Sequence, residues 1–260
     1  MSRVIYWSSV FLATIFLVLP LALVLPLPFN DSSFLSYPME GFTLRWFAQA
    51  WENQAWTNAL GNSFRVAIGA TIAGLLIGGL AATGVMLMPR VMQLVLTALF
   101  ISPMVVPTIV IGVAFAYSYG RMGLAGSYLG MVTAHAILAT PLVFLSVMTS
   151  LRGLDPQLDL AAASLGASRL HRFFHVSLPM AAPGFMAGAL FAFTTSFDEV
   201  VVTLFIASPA STTLPVALFA ELRDRLQPTI VVVALFLTLM SFLFLMLMDW
   251  LQKRSRPQSS

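Results

Sequence analysis

The chain has 260 residues, 59% of them hydrophobic and only 9% charged, with a mean hydropathy of +0.91. Soluble domains carry roughly 25% charged residues, so this composition belongs in lipid and excludes a soluble globular domain. A net charge of +3 without clustered basic faces excludes a nucleic-acid footprint, and the lack of cysteine excludes disulfides, thiol catalysis and cysteine-ligated metals.

Six stretches reach the roughly 20 apolar residues needed to span a bilayer. They are 8–29, 64–88, 91–117, 128–150, 181–206 and 229–250. The expected fold is all-α: a polytopic bundle of six transmembrane helices forming one membrane domain over 1–260. The first stretch follows Arg3, lacks a small-x-small cleavage site and runs on through Pro20, Pro26 and Pro28. It reads as a retained helix rather than a signal peptide. Residues 42–63 read as an amphipathic helix on the outer surface, with Trp46, Trp51 and Trp56 as interfacial anchors. In the second span Ala70, Gly74, Gly78 and Ala82 recur every fourth residue, a stripe for close helix packing, read as contact within one subunit rather than a dimer seam. Pro103, Pro107 and Pro141 kink spans three and four, which requires neighbours that satisfy the freed carbonyls. His135, with Thr133 and Thr140 nearby, reads as a hydrogen-bonded bundle histidine rather than a proton relay.

The long polar interruption is 151–178, LRGLDPQLDLAAASLGASRLHRFFHVSL, followed by Pro179. Asp155 is placed to cap a helix with Pro156 at its first position, and Asp159 suits the positive end of the helix dipole. Ala161, Ala162 and Ala163 keep that helix thin, and Gly166 is suited to ending it in the left-handed conformation. Ser168 then caps a second, amphipathic helix with Leu170, Phe173 and Phe174 as its apolar stripe and Arg169 and Arg172 off it. A thin helix held out on such a base fits a groove in another protein; the plainer reading is a hairpin on the membrane surface. His171 and His175 have a metal-compatible spacing but no third ligand nearby, so no metal site is expected.

Span five carries Asp198 and Glu199 in an otherwise uncharged run, with Thr194 and Thr195 one turn before them. A carboxylate near the bilayer centre costs about 2.5–3.5 kcal/mol on insertion scales, so it marks a pathway for a cationic solute unless the span ends early and leaves the pair hydrated. Adjacent helical residues diverge by about 100°. Asp198 is expected to face the pathway and Glu199 a helix or subunit contact. Glu221, Arg223, Asp224 and Arg225 form a mixed-charge outer loop.

With both termini inside, the inner segments carry Arg3, Arg90, Arg152, Arg169, Arg172, Lys253, Arg254 and Arg256. The outer segments carry Arg45, Arg65, Arg121, Arg223 and Arg225. Eight against five favours cytoplasmic termini, with Trp7 and Trp250 at the inner interface.

The polar loop resembles the cytoplasmic motif of type I binding-protein-dependent ABC importer permeases: Glu-Ala-Ala, three residues, Gly, nine residues, Ile-x-Leu-Pro. This chain has Leu160-Ala161-Ala162, three residues, Gly166, nine residues, then Val176-Ser177-Leu178-Pro179. The departure is Leu160 in place of Glu, with Asp159 beside it as the substitute acid. The GLAGSYLG, SFDEVVVTLF and LQPTIVVVA segments are most similar to the second permease subunit of spermidine/putrescine importers.

That resemblance implies the type I permease fold and a bacterial inner-membrane location. It implies a complex with a homologous permease, two ATPase subunits and a periplasmic binding protein, in which ATP and magnesium belong to the ATPase. It makes the loop a coupling helix and polyamines the substrate class, with an amino-phosphonate, an opine or an oxyanion as alternatives. Two other readings are an intramembrane enzyme and an ion-coupled carrier. The first lacks Gly-x-Ser-x-Gly and His-Glu-x-x-His runs, so no catalytic residues are expected. The second leaves the polar loop without a purpose.

Overall fold

The computed structural model describes residues 3–224 and 227–255. Arg225 and Arg256 of the charge balance lie outside the described residues. The chain is helical, and among the described residues the one β pairing is an isolated bridge between Asn30 and Phe42. Four helices are long and apolar enough to cross a membrane, or five counting one bent pair, and Pro228–Phe244 is a shorter apolar helix. Packing divides the chain into two compact units, Met1–Asn58 with Ala217–Met240, and Ala59–Val216 with Ser241–Ser260.

In the first unit, α1 (Arg3–Val24) is apolar all round and exposed along its length. Such a helix needs lipid or another helix to cover it. The loop after it is built on Asn30, only 1% exposed. Its side chain donates to Ser36 O at 3.1 Å and accepts from the Glu40 amide at 3.0 Å. Its carbonyl accepts from the Trp46 indole of α2 (Arg45–Glu52) at 2.8 Å. The expected tryptophan anchors are therefore corrected at Trp46 and Trp56. Trp46 and Trp56 are each only 7% exposed, whereas Trp51 is 71% exposed. A buried indole N–H needs an acceptor, and Asn30 supplies it for Trp46.

The second unit is organised around α7 (Tyr128–Arg152), whose long buried face packs against α10 (Leu178–Phe197). Pro141 lies inside α7 without ending it. The second span runs from α3 (Gln54–Gly74) through a π-helical turn, Leu75–Gly79, into α4 (Leu80–Met86). Its small-residue stripe packs inward: Ala70 and Ala82 are fully buried, and a Cβ on Gly78 would meet the Thr140 carbonyl oxygen at 2.8 Å. Stripe and α7 thus approach backbone to backbone, as the packing reading expects.

The third expected span, 91–117, is not one rod. α5 (Arg90–Ile101) passes through a short turn, Ser102–Met104, and meets α6 (Thr108–Met122) at a bend of 88°. Pro107 provides the reason. A residue before proline is pushed from helical to extended backbone, so the helix stops and restarts beyond it. The fifth expected span, 181–206, is also broken. α10 ends at Phe197 and α11 (Val201–Ile206) begins after Asp198–Val200.

Candidate functional site

The polar loop builds a closed local unit. The Asp155 carboxylate accepts from the Gln157 amide at 2.9 Å and caps α8 (Pro156–Ser164), with Pro156 at its first position. Gly166 has φ +83°. The Gly166 amide donates to Ala163 O at 3.0 Å and the Ala167 amide to Ala162 O at 3.1 Å, the paired bonds of a Schellman stop. The Ser168 hydroxyl accepts from the His171 amide at 3.3 Å.

The second helix of the loop is not separate. The turn α9 (Arg169–Arg172) runs through a π-helical turn, Phe173–Ser177, directly into α10, which Leu178 and Pro179 begin. The side chain of Leu170 lies outside the described residues. Phe174, expected on the apolar stripe, is 54% exposed.

Leu160 and Leu165 project, 66% and 87% exposed. Ala161 is exposed and Ala162 half-buried. Asp159, the acid beside Leu160, faces inward to its own loop: Arg172 Nη1 sits 3.4 Å from its carboxylate and donates to its backbone carbonyl at 3.4 Å. The tip of the loop is therefore apolar, and Asp159 is paired to the base of the next helical turn. Ala162, Leu165, Gly166, Ser168, His171 and His175 line an open cleft beside it, in which the two imidazoles stack at 4.0 Å.

The acidic pair lies in the break of span five. Glu199 Oε1 accepts from the Val202 amide at 2.8 Å, satisfying one of the free donors at the start of α11. The Asp198 side chain is exposed and has no hydrogen-bond or ion-pair partner among the described residues. Thr194 bonds back to Leu190 O and Phe191 O at 3.0 and 3.1 Å, and Thr195 is half-buried in the same turn. Sequence spacing finds the acids and sets them apart, but not the Val202 amide that Glu199 accepts.

Two polar clusters lie beyond what spacing reveals. His135 is fully buried, and its partners are Ser196 and Thr203 rather than the nearby threonines. Thr133 instead bonds Tyr119, and Thr140 bonds Ala136 O. Asn62 donates to Ala210 O and Thr212 O, both at 2.9 Å, and accepts from the Tyr128 hydroxyl, pinning the loop after α11.

Residues 74–257 match the family described as binding-protein-dependent transport system inner membrane component. The chain is 30% identical over 222 residues to the putrescine transport system permease protein PotI of Escherichia coli K12, covering 83% of this chain and 79% of that one. It is 33% identical over 233 residues to PhnV of Salmonella typhimurium, a permease named for 2-aminoethylphosphonate transport, covering 87% of each. It is 25% identical over 226 residues to the spermidine/putrescine transport system permease protein PotC of Escherichia coli K12, covering 87% of this chain and 85% of that one. Among solved structures, a bacterial ABC transporter that imports alginate shares the fold at a TM-score of 0.70 and 13% identity, over 97% of this chain and 98% of that one. An amino acid ABC transporter shares it at 0.62 and 18%, over 82% of this chain and all of the other.

Proposed function

The chain belongs to the family of binding-protein-dependent transport system inner membrane components, and from that membership we propose that it forms half of the pathway of an ATP-driven importer for a small organic amine. It is a multi-pass inner-membrane permease of the type I importer class. In this reading residues 1–260 act as one permease domain with both termini in the cytoplasm. A homologous permease supplies the other half of the pathway. Two ATPase subunits bind ATP and magnesium, and a periplasmic protein delivers the solute.

The observation that carries the reading is the loop. A nine-residue helix, closed at one end by Asp155 and at the other by Gly166, presents Leu160 and Leu165 outward. Residues Asp159 to Ala162, Gly166, Leu178 and Pro179 form the coupling element that follows the ATPase cleft as it closes. The Asp198 carboxylate, at a helix break and without a partner among the described residues, supports a cation on the pathway; Thr194 and Thr195 line its approach, and Glu199 holds the break in shape. An ammonium beside Asp198 offsets part of the cost of holding a charge there.

Polyamines are the first substrate reading, supported by the relatives named for putrescine and spermidine. The relative named for 2-aminoethylphosphonate favours a second. Both solutes carry a primary ammonium, so Asp198 suits either. The test is a thermal-shift screen of the cognate binding protein with putrescine, spermidine and 2-aminoethylphosphonate, followed by uptake of the stabilising solute into vesicles carrying the assembled transporter. Uptake that requires ATP is expected. Uptake driven by an ion gradient in vesicles holding this chain alone contradicts the proposal.

A further inference from the structure

We propose that His135 is a positioning residue that pins the break in span five and thereby fixes where the Asp198 carboxylate sits. Helices that stop and restart usually do so at proline, glycine or an inserted side chain. The segment 194–203, TTSFDEVVVT, contains neither proline nor glycine. The regular ladder nevertheless lapses there: the Asp198 amide still reaches Thr194 O at 3.0 Å, and the ladder resumes with the Leu204 amide on Val200 O at 2.9 Å. Something other than backbone chemistry holds the intervening residues away from a continuous helix.

His135 is placed to do so. It projects from the buried face of α7, flanked by Ala134 and Ala136, 0% and 2% exposed. Its Nδ1 lies 2.8 Å from Ser196 Oγ and 3.2 Å from Ser196 O, in the last turn before the break. Its Nε2 lies 3.0 Å from Thr203 Oγ1, in the first turns after it. Thr203 Oγ1 in turn lies 3.2 Å from the Glu199 carbonyl, inside the break. Ser196 and Thr203 are 3% and 0% exposed, so their bonds to the ring are shielded from bulk water. Both partners are hydroxyls that donate or accept as required, so either tautomer keeps a bond on each side. One imidazole on a rigid helix therefore spans the gap, and Glu199 completes the arrangement by capping α11. Its consequence for transport rests on the reading that Asp198 lies on the pathway.

The chain has no cysteine, so one introduced thiol reports on one position. Asp198→Cys in the full chain, reconstituted in lipid nanodiscs, is labelled with a charged methanethiosulfonate reagent, and Leu165→Cys serves as a control elsewhere in the chain. Adding His135→Phe, or the near-isosteric pair Ser196→Ala and Thr203→Val, is expected to shift the rate at position 198 by about fivefold or more, the factor that one net hydrogen bond represents. The rate at position 165 stays the same. His135→Gln, which retains a donor near the Nε2 position, is expected to restore part of the original rate. An unchanged rate at position 198 overturns the proposal. So does failure of the Ser196→Ala, Thr203→Val chain to insert, because the bonds would then hold the bundle and not the break. In the assembled transporter, a labelling shift accompanied by unchanged KM for uptake leaves the pin standing and removes Asp198 from the pathway. The two claims therefore fail separately.

Discussion

The Glu199 carboxylate accepts the Val202 amide, while Asp198, its neighbour, has no partner among the described residues. This difference predicts different losses. Asp198→Asn leaves the thermal unfolding of the purified chain unchanged and lowers uptake of a cationic solute in the assembled transporter; normal uptake removes the residue from the pathway. Glu199→Ala removes a capping acceptor and is expected to cost about 0.5–2 kcal/mol, read as a lower unfolding temperature. Gly166 presents a third case. Nothing lies within 4 Å of a Cβ built there, so substitution acts only through its φ of +83°. Gly166→Val is expected to recover far less ATPase subunit with a tagged permease than Gly166→Asn, because a β-branched residue is strained in the left-handed region and asparagine tolerates it. Equal recovery contradicts the capping argument. The Asp155 cap and the Gly166 stop were legible in sequence because caps and stops depend on neighbours a few residues away, whereas the Glu199 cap was hidden by the expectation of one unbroken span. The partners of His135 were not, since Ser196 and Thr203 lie 61 and 68 residues along the chain.

At the scale of elements, the loop behaves as one part because Arg172 ties α9 to α8 through Asp159. The Asp159 side chain is 50% exposed in this pair, so the tie is worth only about 0–1 kcal/mol. Breaking it should disturb orientation more than folding. Arg172→Asp is expected to keep insertion and basal ATP hydrolysis while weakening stimulation by loaded binding protein, and adding Asp159→Arg should restore part of it. Stimulation unaffected by the single change removes the tie from coupling. The stripe of span two predicts a stability effect instead. Gly78→Ala places a methyl 2.8 Å from the Thr140 carbonyl oxygen and should destabilise the purified chain by about 1–3 kcal/mol. The existence of the helices was readable from apolar run length. The bend before α6 was half readable: Pro107 marks its place, but proline does not dictate 88°. The break at Asp198 was less so, because it is held by a side chain from another helix.

Across the whole molecule, composition established a membrane protein, and the spacing from Leu160 to Pro179 pointed to the importer class to which the chain belongs. Neither indicated that Asp159 would be occupied by Arg172, leaving an apolar tip of Leu160 and Leu165. That tip is the centre of the proposed mechanism, in which force from the ATPase reaches this chain through it. The most direct measurement is disulfide crosslinking from Leu160→Cys and Leu165→Cys, each the sole thiol of this chain, to single cysteines lining the ATPase cleft in native membranes. The account predicts efficient crosslinks to the ATPase subunit whose yield changes when ATP is added. Thiols that never reach an ATPase subunit, with or without ATP, contradict it.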